Sequence, residues 1–127
     1  MLSFYECQHC GNMVMFLKSS GVIPVCCGDQ MMLMQPGVSD GAMEKHVPVI
    51  TVNKERVIVS VGSEAHPMTS AHHIDWILLE TNKGVHVTYL SLMDGTADAG
   101  FTLAKGERVI AAYEHCNLHG LWMKEVG

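Results

Sequence analysis

Cys7-Gln8-His9-Cys10 and the adjacent pair Cys26-Cys27 bring four thiols into the early part of the chain, while a fifth, Cys116, stands alone near the other end. A C-x-x-C spacing sets two thiolates on one tight turn, where backbone amides can donate to sulfur and offset the charge gathered around a metal. Two adjacent cysteines reach one ion only if both side chains turn toward it, and Gly28 directly after them gives the backbone that freedom. Four thiolates suit zinc or iron, and ligand softness alone does not choose between them. An odd cysteine count suits a framework of disulfides poorly, and in a reducing compartment such a cluster points to a metal. Gln8 and His9, inside the first turn, read as exposed loop residues, because four thiolates already complete the shell.

Histidine supplies the second set of candidates, with eight in the chain. His46 precedes a β-branched run, His66 and His72 lie in the segment His-Pro-Met-Thr-Ser-Ala-His, and His115 and His119 flank Cys116 in His-Cys-Asn-Leu-His-Gly. Cys116-x-x-His119 is a chelating spacing, Gly120 after it permits an unusual backbone angle, and Pro67 stiffens the loop that carries His66. Any one of these imidazoles alone reads as a surface or hydrogen-bonded residue. Taken together, His46, His66, His72, His119 and Cys116 exceed the four ligands of tetrahedral zinc. The count points instead to a five-coordinate iron with one position open to chemistry.

The elements that must position these residues read as strands. From Val47 onward, short β-branched runs (VPVITV, ERVIVSVG, IDWILLET, VHVTYLSL, GFTLAKG, RVIAAYEHC) are separated by the turn residues Asn53-Lys54, Asn82-Lys83-Gly84 and Lys105-Gly106. Six or seven such strands predict an antiparallel β-sandwich in a mainly β chain without a helix of normal length. Val57, Val59 and Val61 should face its core, with Arg56, Ile58 and Ser60 on the other side. Loops joining sandwich strands gather at the ends of the sheets, so a shared end could collect the histidines. Residues 1–36 hold too few large apolar side chains to fold without a staple, and metal binding would supply their folding energy. Pro36, Gly37, Asp40 and Gly41 mark the junction, giving domains of residues 1–36 and 37–127.

Composition narrows the partners. A net charge of −5 with only eight Lys and Arg argues against a phosphate-tracking surface and hence against nucleic acid. No stretch reaches the roughly 20 apolar residues of a membrane span, and the first residues lack a secretory pattern, so a soluble cytoplasmic protein is expected.

Cys7-Gln8-His9-Cys10 with Cys26-Cys27, Glu44-Lys45-His46-Val47-Pro48-Val49, Ala65-His66-Pro67-Met68, His72 before Ile74-Asp75-Trp76, and Cys116-Asn117-Leu118-His119-Gly120 together resemble the desulfoferrodoxins, two-iron superoxide reductases. The resemblance covers essentially the whole chain. It implies a desulforedoxin-like N-terminal domain holding a tetrathiolate iron, followed by an immunoglobulin-like antiparallel β-sandwich. The active iron would have His46, His66, His72 and His119 as equatorial imidazoles and Cys116 as axial thiolate. The implied reaction is one-electron reduction of superoxide to hydrogen peroxide, detoxifying it without dioxygen. Lys45 would draw the anion to the open position, and Glu44 would close that position once the iron is oxidised. The resemblance further implies a rubredoxin-like electron donor and a homodimer. His73 stands beside His72 as a rival ligand, and His72 is favoured by its spacing from Pro67 and Trp76. His115, next to Cys116 in an extended strand, should point away from the metal.

Two other classes fit parts of the pattern. An iron electron carrier would use both centres without substrate chemistry, and a zinc-stapled binding module would leave the histidines free on the surface. Met31, Met32 and Met34 read as packing residues, Trp76 and Trp122 as core or site-wall aromatics and His86 as a strand residue with no ligand neighbour, and none of these receives a role.

Overall fold

The computed structural model describes residues 2–37 and 43–126, with the side chain of Glu44 outside that description. The junction residues Asp40 and Gly41 therefore lie outside the described residues as well. Contacts divide the chain into two compact units, Met1–Gln35 and Pro36–Gly127.

The first unit is built from very short strands. β1 (Phe4–Glu6) pairs antiparallel with β2 (Met13–Met15) and with β5 (Met32–Leu33), while β3 (Val25–Cys26) and β4 (Asp29–Gln30) form a separate hairpin. Its two-residue loop, Cys27-Gly28, has φ of 53° and 82°. Left-handed backbone at both central positions is what a type I′ hairpin turn demands, and it is unusual for a cysteine. Among its described residues Phe4, Cys7 and Met31 are buried, a core far too small to hold 35 residues by itself.

The second unit is a sandwich. After a single helical turn, α1 (Met43–His46), come β6 (Pro48–Asn53), β7 (Arg56–Val61), β8 (Ile74–Thr81), β9 (Gly84–Tyr89), β10 (Asp98–Thr102), β11 (Val109–Cys116) and β12 (Gly120–Glu125). One sheet has the order β10-β7-β6 and the other β12-β11-β8-β9, with every pairing antiparallel. Val57, Val59 and Val61 of β7 pack with Ile74, Ile77, Leu79, Phe101 and Ala112 in the core, whereas Ile58 faces outward, as the alternation requires. Mainly β architecture with antiparallel sheets thus holds throughout. β12 was not legible as a strand, because Gly-Leu-Trp-Met-Lys-Glu carries no β-branched residue. Among the described residues, no helix is long and apolar enough to cross a membrane.

Register explains why one end of the sandwich collects the candidate ligands. Pro48, at the start of β6, pairs with Val61, at the end of β7, and Ile74, at the start of β8, pairs with Cys116, at the end of β11. The α1 turn, the 62–73 loop and the Cys116–Gly120 turn therefore emerge together. Between the pairs His115↔Trp76 and Cys116↔Ile74 the register shifts, leaving Asp75 as an extra residue in β8. That bulge keeps Ile74 on the core side and frees Asp75 to aim its carboxylate at His73 and His115.

Candidate metal centres

The donor atoms of Cys7, Cys10, Cys26 and Cys27 all lie within 4.8 Å of one another. Sγ of Cys26 is 3.6 Å from that of Cys10 and 4.0 Å from that of Cys27. A metal–sulfur bond of about 2.3 Å spaces tetrahedral sulfurs about 3.8 Å apart, so these separations match the edges of a metal tetrahedron. They are far longer than the roughly 2.0 Å of a disulfide bond, and all five cysteines are free. The turn supports the charge: the backbone N–H of Cys10 donates to Cys7 Sγ at 3.4 Å, and Asn12 Nδ2 donates to Cys26 Sγ at 3.7 Å. That amide of Cys10 is the main reason the Cys7 thiol is brought down to about 6. Cys27 is instead pushed up to about 12 by its hydrogen bonds to Cys10 and Cys7, so these thiols do not all ionise without a cation among them.

In the sandwich, His46, His72, Cys116 and His119 place their donor atoms within 4.8 Å of one another. His66 joins them through His46, with the two Nε2 atoms 3.2 Å apart, and His46 Nε2 lies 3.1 Å from His119 Nδ1. Bonds of about 2.1 Å at right angles would space two nitrogens about 3.0 Å apart, close to what is found. Cys116 Sγ is 3.8 Å from His119 Nδ1. The rings follow a cyclic order. His46 meets His66 at 79°, His66 meets His72 at 77°, His72 meets His119 at 77° and His119 meets His46 at 86°. Across the ring, His46 and His72 are nearly parallel, at 29°, with centroids 6.3 Å apart. Four imidazoles thus form a square, and Cys116 enters from the core beneath.

Burial holds the histidines in the form a metal needs. It is the main cause that brings His66 down to about 4 and lowers His72, so both offer neutral lone pairs at neutral pH. His66 Nδ1 donates to the carbonyl of Pro67 at 2.7 Å, which turns Nε2 into the cluster. His72 Nε2 is buried with no hydrogen-bond partner, an orphaned acceptor that a cation would satisfy. Burial raises the Cys116 thiol, while the backbone amides of Leu118 and His119 pull the other way and would solvate the thiolate.

The rivals resolve locally. His73 has both ring nitrogens engaged, Nδ1 with Thr69 O at 2.9 Å and Nε2 with Asp75 at 3.0 Å, so neither is available to a metal. His115 Nδ1 meets the other oxygen of Asp75 at 2.7 Å and its ring stacks on Trp76, on the opposite side of β11 from Cys116. Lys45 is exposed beside His46, and its charge is one of those felt at His72. The Glu44 side chain lies outside the described residues. Two residues that received no role contribute directly. Trp122 stacks on His46, with centroids 5.0 Å apart, and its Nε1 donates to His119 O at 3.0 Å. Asn117 bonds to the residues on both sides of His72. Neither contact has a signal in the residue types alone.

A sandwich with a histidine–cysteine cluster at one end, in a chain that also carries a four-thiol group, defines a class of metalloprotein with two distinct sites. The chain belongs to the desulfoferrodoxin family: residues 38–125 match the family described as Desulfoferrodoxin. It is 46% identical over 121 residues to the desulfoferrodoxin of Nitratidesulfovibrio vulgaris, covering 95% of this chain and 94% of that one. Among solved structures, the superoxide reductase from Treponema pallidum matches with a TM-score of 0.82 at 37% identity, covering 98% of this chain and 99% of that one. A superoxide reductase (1Fe-SOR) from Giardia intestinalis matches with a TM-score of 0.54 at 29% identity, covering 65% of this chain and 97% of that one. The four-cysteine group and the histidine–cysteine group of this chain fit two iron centres.

Proposed function

We propose that the chain is a superoxide reductase whose active iron is held by His46, His66, His72, His119 and Cys116, with Cys7, Cys10, Cys26 and Cys27 holding a second iron. The observation that carries the reading is the square of perpendicular imidazoles closed from the core side by one cysteine. The superoxide reductases among the similar structures support it.

Ferrous iron bound there would supply the single electron. Superoxide takes that electron and two protons and leaves as hydrogen peroxide, with no dioxygen formed. The chain's own residues prepare the encounter. Four neutral imidazoles and one thiolate leave a divalent ion with net positive charge, and exposed Lys45 adds more at the mouth, reversing locally the sign of a chain of net charge −5. The Lys45 ammonium attracts the anion and orders water for proton delivery. Glu44, one residue earlier on the same turn, would close the site after oxidation. His66, fixed through Pro67, and Cys116, solvated by two amides, keep their donor atoms in place through the cycle. A rubredoxin-like carrier would return the electron, in a reducing compartment where the cysteines stay out of disulfides. A homodimer belongs to the same reading, since the small first unit leaves Leu17, Val22 and Val25 exposed.

The test is product stoichiometry. Reduced protein mixed with superoxide should yield one hydrogen peroxide per superoxide consumed and no dioxygen. Dioxygen evolution would make it a dismutase, and failure to consume superoxide would leave only an electron carrier.

A further inference from the structure

His72 is the ligand whose placement has the least obvious cause. His46 is stacked on Trp122 and His66 is turned by Pro67, but His72 sits in a loop and its buried Nε2 has no partner. Within that loop Thr69 closes the chain on itself. Its Oγ1 accepts from His72 N at 3.1 Å, and its backbone N donates to His72 O at 2.9 Å. These bonds shape the loop but attach it to nothing else.

The attachment is Asn117. Its Oδ1 accepts from His73 N at 2.8 Å, its Nδ2 donates to Ala71 O at 3.0 Å, and its own backbone N donates to His73 O at 3.1 Å. The three bonds bracket His72 on both sides and tie it to the residue directly after Cys116. The partners fix the amide orientation, because His73 N can only donate and Ala71 O can only accept. A carboxylate offers no donor at all, and a hydroxyl is too short to bridge both partners.

We propose that Asn117 is a positioning residue that sets His72 against Cys116 and so determines how well the second centre holds its iron. The proposal rests on the reading that His72 and Cys116 bind one ion. Asn117 is itself exposed, and most exposed residues change little on substitution. Residues that orient metal ligands behave differently, their loss costing about 10–100-fold in metal affinity.

The experiment uses the full chain loaded with iron and titrated with a chelator, reading the iron retained at each centre and the thiolate-to-ferric absorption of the second. Asn117→Ala should weaken iron at the second centre by about 10–100-fold. Iron at the four-cysteine centre should stay as it is, and the metal-free sandwich should still melt cooperatively, with only the modest drop in melting temperature that two lost surface hydrogen bonds bring. Asn117→Ser, which keeps one hydrogen-bonding group, should fall between, and it decides the matter if the alanine variant does not fold. Second-centre affinity within twofold of wild type in the folded variants overturns the proposal. A wild-type chain holding iron only at the four cysteines would instead overturn the reading beneath it.

Discussion

His46 Nε2 and His119 Nδ1 lie 3.1 Å apart although 73 residues separate them in the chain. One belongs to a single helical turn and the other to the β11–β12 turn, and Trp122 touches both, stacking on the first ring and donating to the backbone carbonyl of the second residue. Two imidazole nitrogens aimed at one point repel unless a proton or a cation stands between them. The indole buttresses both residues from one side.

Replacing that indole separates its two functions. Trp122→Phe keeps an aromatic face for His46 but loses the hydrogen bond to His119 O, costing about 1 kcal/mol. Trp122→Ala empties a buried site and should cost about 3–5 kcal/mol. Denaturant unfolding of the metal-free protein measures both. Equal losses in the two variants would mean that the stack on His46 contributes nothing.

Metal removal should act unequally on the two units. With Phe4, Cys7 and Met31 alone buried among the described residues of the first unit, that unit depends on its four-cysteine iron, whereas the sandwich has a continuous core. Chelation should abolish amide-exchange protection in β1, β2 and β5 and leave β7, β8 and β11 protected. Persistent protection in the first unit after metal loss would show that it folds unaided.

Much of this was readable in the residues, and the unread parts share a cause. The β-branched runs of β6, β7 and β8 announce themselves by alternation, and the Cys-x-x-Cys and Cys-x-x-His spacings announce chelation. Strands of two or three residues in the first unit are too short for period-two patterning to register. The placement of Trp122 and Asn117 depends on which loops share an end of the sandwich, and that is a property of register. The choice of His72 over His73 turns on the bulge at Asp75, whose carboxylate engages His73.

At the other end of the sandwich, acid should loosen the fold through Glu107. The Thr81 hydroxyl, at 2.6 Å, is the main cause that brings this carboxyl from its ordinary 4.5 down to about 2, helped by the Ala104 amide and His86. A folded-state value below the unfolded one contributes stability that is complete above about pH 4.5 and disappears as pH falls to about 2. Glu107→Gln should therefore lower the melting temperature at pH 7 and converge with wild type near pH 2. Parallel curves for the two proteins across that range would contradict the assignment.

Glu114 works in the opposite direction. It pairs with Ile77 on the core face of β11, is 0% exposed, and neither carboxylate oxygen has a partner. Burial, with a smaller contribution from Asp75, pushes it up to about 9. A raised value means its contribution is intact below about pH 4.5 and is lost as pH rises toward 9. Glu114→Met should stabilise the metal-free protein at neutral pH by about 1–3 kcal/mol. That advantage should grow across the same pH window, and a variant no more stable than wild type at pH 8 would refute it.

The most direct test of the account is a crystal structure of the iron-loaded, reduced protein. It should show the sandwich iron bonded to His46 Nε2, His66 Nε2, His72 Nε2, His119 Nδ1 and Cys116 Sγ, with the position opposite sulfur free of any protein ligand. Cys116 found unbonded, or that position filled by a side chain in the reduced state, would contradict it.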